Sequence, residues 1–157
     1  MGAREQVMGG RSWVQRVGEW IPGFRGYYAR EHRRDADRLV RDAVSARLKA
    51  VVDALGESGA VLARSGRVED LKEVERTQRL SQRLATLADR VRTAAGGYAG
   101  FFDAVKVLEP QLHVLYEQDQ ALLAGAEDLK TDPTEAKALA LEQRMDRRRE
   151  LIVDLSH

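Results

Sequence analysis

The stretch Leu80-Ser-Gln-Arg-Leu84-Ala-Thr-Leu87-Ala-Asp-Arg-Val91-Arg-Thr-Ala94 decides the fold. Its apolar members step by 4, 3, 4 and 3, which returns them to one stripe of an α-helix and makes a heptad seam. Leu71 and Val74 continue the apolar side backwards, with Thr77 and Gln78 interrupting it as a polar layer. The pattern predicts a helix over about 68–95, stopped by Gly96-Gly97.

Working outward, three further segments repeat the theme. Upstream, Val40, Val44, Leu48, Val51, Leu55 and Leu62 line one face of a helix expected over about 27–64, ending at Ser65-Gly66. Ala36, Ala43, Ala46 and Ala50 keep a neighbouring strip thin. Around them Glu31, Asp35, Asp37 and Asp42 interleave with Arg30, Arg33, Arg34, Arg38 and Arg41, giving i,i+4 pairs of about 0.2–0.5 kcal/mol each. Gly56 and Gly59 weaken the pattern by about 1 kcal/mol apiece relative to Ala. Downstream, Leu108, Leu112, Leu115, Asp119, Leu122, Ala126 and Leu129 form an unbroken 4,3 seam in a helix over about 109–129, with Pro110 in its first turn. Asp132-Pro133-Thr134-Glu135 reads as an N-cap, a proline at the first helical position and a glutamate two further on, opening a last helix over about 133–155. Ala138, Leu141, Met145, Arg148, Ile152 and Leu155 are its seam.

These patterns predict an all-α chain: an antiparallel four-helix bundle over 25–157, preceded by a short N-terminal amphipathic leader helix within 1–24. Composition agrees. Charged residues at 32%, aromatics at 6% and three prolines favour salt-bridged helices over sheets, and 43% hydrophobic residues suffice for a core in one domain of 157 residues. The absence of cysteine removes disulfides, thiolate metal sites and cysteine nucleophiles. The first helix should reach about 55 Å and the third about 33 Å, so the first two helices overhang the last two, as a stalk or a docking element for another subunit.

Eight of the nine aromatic residues lie in or just ahead of two Gly-rich joints. One is Trp20-Ile-Pro-Gly-Phe-Arg-Gly-Tyr-Tyr28, and the other is Gly96-Gly-Tyr-Ala-Gly-Phe-Phe102. Because one precedes the first helix and the other follows the second, antiparallel packing brings both to the same end of the bundle. Trp20, Phe24, Arg25, Tyr27, Tyr28, Tyr98, Phe101 and Phe102 then form either a hydrophobic cap or a partner-binding surface, since aromatics and arginine anchor interfaces. Ahead of the first joint, Trp13, Val17, Trp20 and Ile21 make the leader amphipathic, suited to fold back on the domain, to meet a partner or to lie on a membrane surface.

Residues Ile21–Arg41, Ile-Pro-Gly-Phe-Arg-Gly-Tyr-Tyr-Ala-Arg-Glu-His-Arg-Arg-Asp-Ala-Asp-Arg-Leu-Val-Arg, resemble the opening of a family of small bacterial all-helical proteins. Asp89–Val107 resembles that family's second marked segment. The resemblance covers about a quarter of the chain. It implies a helical fold and no reaction, because no activity is attached to the family.

Candidate chemistry is sparse. Glu109, His113 and Glu117 fall at i, i+4 and i+8 on one helix face and could join carboxylates of a second helix around a metal, although the Glu-x-x-His pattern of di-iron bundles is absent. The plainer reading of that stripe is a solvated charged face. Asp119 in the third seam needs a counter-charge, and counting back from the last turn nominates Arg144, with Arg148 a turn further on and within reach of Glu117. Polar seam members of this kind fix register and pairing. No phosphate-binding loop or hydrolytic triad is present. Residues 1–49 carry eleven Lys/Arg against six Asp/Glu, and residues 101–157 seven against twelve. This asymmetry suits self-neutralisation across the bundle. The pI of about 8.1 falls short of a nucleic-acid-binding profile.

The expectation from sequence is therefore a non-enzymatic scaffold, adaptor or assembly subunit, with a protein partner or self-association, no cofactor and no small-molecule substrate. A metal-dependent bundle enzyme and a membrane-surface protein are the alternatives. No run of about 18 apolar residues and no signal-peptide or myristoylation pattern occurs, which sets the expected location in the cytoplasm, peripheral to a membrane where the leader engages one.

Overall fold

The computed structural model describes residues 33–94 and 109–155, with side chains over 38–94 and 117–151. Among these residues every element is helical: α1 (Arg33–Arg64), a 3-10 turn (Val68–Asp70), α2 (Leu71–Thr93), α3 (Glu109–Thr131) and α4 (Glu135–Leu155). The fold class is all-α. The leader, the two aromatic joints and most of the two family-like segments lie outside the described residues.

Helix α1 runs 32 residues without a break at Gly56 or Gly59. It stops where Gly66 takes the left-handed conformation, φ 67°. Ser65 fixes this corner: its hydroxyl donates to the Leu62 carbonyl at 2.7 Å, lies 2.6 Å from the Asp70 carboxylate and accepts the Arg67 N–H at 3.3 Å. The chain then makes a single 3-10 turn before α2, so the second helix proper starts at Leu71 and not at 68.

The second corner differs in detail from its sequence reading. The Thr134 hydroxyl, and not the Asp132 carboxylate, caps α4 by accepting the Lys137 N–H at 3.2 Å, and the Thr134 carbonyl accepts the Ala138 N–H at 3.1 Å. The reason is that α3 continues to Thr131, with the Asp132 N–H closing its last turn on the Asp128 carbonyl at 3.1 Å. Asp132 is thereby committed to the end of α3. Its carboxylate meets Lys137 Nζ at 3.1 Å.

One core runs through all four helices. Val40, Val44, Leu48, Val51 and Leu55 come from α1, and Leu80, Leu84, Leu87, Ala88 and Val91 from α2. Leu122, Leu123, Ala126 and Leu129 come from α3, and Ala138, Leu141 and Met145 from α4. Between α1 and α2 the Ser45 hydroxyl donates to the Ala88 carbonyl at 3.0 Å, and Arg41 Nη1 donates to the Arg92 carbonyl at 2.9 Å. Partner numbers fall along α2 as they rise along α1. At Gly125 α3 comes close to α4: a Cβ there would sit 3.2 Å from Leu141 Cδ1.

Burial ends at Leu55 on α1 and, apart from Thr77 and Gly59 packed on each other, at Leu80 on α2. Leu71, expected to extend the apolar side of α2, is 56% exposed: nine residues before Leu80, it lies half a turn off the buried seam. The account of the core is checked at its centre. Leu84→Ala should cost about 2–5 kcal/mol in urea unfolding followed by circular dichroism, whereas Val61→Ala should stay within about 0.5 kcal/mol.

Candidate functional site

The described residues hold one fully buried ion pair. Arg148 Nε donates to Asp119 Oδ1 at 2.5 Å, with the two side chains 0% and 3% exposed. Two facing seams, each interrupted by one charged residue, place these interruptions against each other. Asp119 lies fourteen residues before Pro133, and Arg148 fourteen after Thr134. Helices of equal rise leaving that corner therefore bring them level. Arg144, the partner nominated from sequence, is a full turn nearer the corner and exposed. The pairing with Arg148 corrects that assignment. Glu117 is exposed.

Burying both charges is costly, and only close geometry with further hydrogen bonding offsets the desolvation. What such a pair supplies is selectivity of register: a slip of either helix leaves a guanidinium and a carboxylate in an apolar seam without each other.

Sequence reading missed a second buried cation. Arg41, counted among the solvated charges of α1, is 5% exposed. The signal was present, since Arg41, Leu48, Leu55 and Leu62 are spaced by sevens. Its guanidinium satisfies a carbonyl in the last turn of α2, where cations complement the helix dipole. Ser45 was likewise missed. It faces α2 because a small hydroxylated residue lets the helices approach and finds a carbonyl to donate to.

Half-exposed pairs tie the helices laterally. Arg47 meets Glu127 at 2.5 Å across α1 and α3. Arg83 forks onto Glu142 at 2.7 and 2.9 Å across α2 and α4, and Arg90 meets Asp146 one step along. The hydrogen bond and charge of Glu142 hold the Arg83 guanidinium above its ordinary pKa. At the α3–α4 corner the hydrogen bond that the Lys137 ammonium donates to Asp128, with help from Asp132, raises it above the usual lysine value. For Lys137 the raised pKa contributes stability that is complete below the unfolded value, about 10.5, and fades as pH climbs through the folded one.

Open depressions mark the surface of the described residues. One of about 360 Å³ lies along α2 and α4, lined by Arg79, Arg83, Arg90 and Glu142 among others. Another, about 510 Å³, lies between α1 and α2 beside Gly56, Gly59, Val74 and Thr77. Among the described residues no group of three or more His, Asp or Glu is arranged to hold a metal ion. The side chains of Glu109 and His113 lie outside the described ones. Trp13, Val17, Trp20, Ile21, Phe24, Arg25, Tyr27, Tyr28, Tyr98, Phe101 and Phe102 do so as well. No described helix is long and apolar enough to cross a membrane.

Comparison with protein-family models, curated proteins and solved structures finds no match for the chain.

The buried pair is tested by removing its halves separately and together. Arg148→Met alone, or Asp119→Leu alone, should destabilise by about 3–5 kcal/mol, because each strands a buried charge. The double variant should recover most of that loss in the same denaturation assay.

Proposed function

We propose that the chain is a non-enzymatic four-helix bundle, built of two antiparallel hairpins stacked on each other, that acts as a scaffold, adaptor or assembly subunit. Its working surface is the end at which α1 begins and α2 finishes. The observation that carries this is the bond from Arg41 to the Arg92 carbonyl, which ties the first turns of α1 to the last turn of α2. The two aromatic segments continue from Arg33 and from Ala94, so both are tethered to one end of the helical frame. Lateral pairing supports the stacked-hairpin reading. Arg83 with Glu142 and Arg90 with Asp146 rise together along α2 and α4, while Asp119 with Arg148 and Gly125 with Leu141 run oppositely along α3 and α4.

Trp20, Phe24, Arg25, Tyr27, Tyr28, Tyr98, Phe101 and Phe102 supply residue types that dominate binding hot spots. The leader, through Trp13, Val17, Trp20 and Ile21, adds a second apolar element at the same terminus.

The test is affinity capture from native lysate with the intact chain and with a Tyr27→Ala/Phe101→Ala variant of unchanged helicity and melting cooperativity. A partner retained by the first and lost by the second is the expected result. Equal recovery would return the aromatic residues to the role of a bundle cap.

A further inference from the structure

Thr77 is 8% exposed, and its hydroxyl is hydrogen-bonded to no described residue. Elsewhere on α2 such groups are satisfied within the helix: Thr86 and Thr93 return their hydroxyls to the carbonyls four residues back, at 3.0 and 2.7 Å. Thr77 instead lines the depression of about 510 Å³ between α1 and α2, where a Cβ on Gly59 would stand 3.5 Å from its Cγ2. A hydroxyl largely withdrawn from water and left without a partner is costly, so it gains from any polar group that enters the groove.

The two walls of this groove differ in kind. On α1 the lining positions Gly56, Gly59, Ala60 and Ala63 carry nothing beyond a methyl group, which leaves a flat wall of backbone and methyls. On α2 the wall is polar and neutral. Thr77 and Gln78 form one level and Ser81 and Gln82 a second, four residues or about 6 Å further along the helix. None of these four side chains is hydrogen-bonded within the described residues. Among the described residues no Asp, Glu, Lys or Arg lines the groove, although such residues make up 32% of the chain.

We propose that this groove binds an uncharged planar heteroaromatic molecule that carries a hydrogen-bond donor and an acceptor on one edge, as cyclic amides and nucleobases do. The flat α1 wall takes the face of the ring. The hydroxyls and amides of α2, each able to donate and to accept, take its edge, with Thr77 at the buried end. A volume of about 510 Å³ lies within the range of small-molecule sites, about 300–1,000 Å³. Charge sets the class: an ion entering here would lose hydration and meet no counter-charge in the lining. The site is separate from the proposed aromatic surface and does not depend on it.

The test is an NMR titration of the backbone amides of the full chain at pH 7 with nicotinamide, uracil and hypoxanthine, and with nicotinate as the charged twin of the first. The expected result is saturable shifts centred on residues 55–63 and 74–82, with a dissociation constant on the order of 0.1–1 mM for ligands of this size. Nicotinate should bind at least tenfold more weakly than nicotinamide. Gly56→Leu fills the groove and should abolish the shifts. A Cβ at that position meets nothing within 4 Å, and leucine suits a helix better than glycine, so the variant stays folded. Thr77→Val keeps the shape and removes the hydroxyl. It should weaken binding at least threefold while leaving the melting midpoint unchanged or higher. The proposal is overturned by the absence of saturable shifts with all three neutral probes, and by binding that survives Gly56→Leu or ignores Thr77→Val. Nicotinate binding as well as nicotinamide overturns it too, as does a fall in the melting midpoint of Thr77→Val protein, which would show the hydroxyl already bonded within the fold.

Discussion

A single buried contact, Arg148 against Asp119, constrains how α3 and α4 meet. Leucine and alanine seams are permissive: slide one helix past another by a turn and apolar still meets apolar. A carboxylate and a guanidinium in the same seams are not permissive, because a slipped register leaves both desolvated and apart. The pair therefore does for register what the leucines cannot do. It contributes little net stability relative to an apolar replacement, yet it forbids the neighbouring alternatives.

Helices α1 and α2 solve the same problem with different chemistry. Arg41 and Ser45 donate from α1 to carbonyls of α2, so the directional groups are backbone acceptors and not a counter-charge. Arg47, Arg83 and Arg90 then link α1 to α3 and α2 to α4. These outer pairs are partly exposed and individually worth about 0–1 kcal/mol, so their role is orientation more than strength. The apolar core supplies the stability and the polar contacts select one arrangement of it.

Much of this was legible beforehand, and the misses have physical causes. Helical identity and the core faces of α1 and α2 followed from spacing, because leucine periodicity is a direct record of which side is buried. The capping assignment at the last corner failed because Asp132 and Thr134 are both good N-cap residues, and α3 ran on far enough to claim the aspartate. The nomination of Arg144 failed on position, since partner choice across a hairpin depends on where the corner is centred. Arg41 was read as solvated because an arginine between acids is usually so. Its place in the heptad of Leu48 and Leu55 was the better guide. Leu71 was read as core although its nine-residue distance from Leu80 turns it to the opposite face of the helix.

The functional reading rests on this frame: helices held in one register by buried polar contacts, with the proposed working surface where α1 begins and α2 finishes. If the register claim is wrong, that frame is not assembled as described. The most direct measurement is hydrogen exchange at the Arg148 side chain, followed through its Nε–H resonance by NMR. A buried donor bonded to Asp119 should exchange many-fold more slowly than the exposed Arg76 and lose that protection in Asp119→Leu protein. Exchange as fast as that of Arg76 would mean that Arg148 is solvated and that the seams of α3 and α4 meet in another register, contradicting the claim.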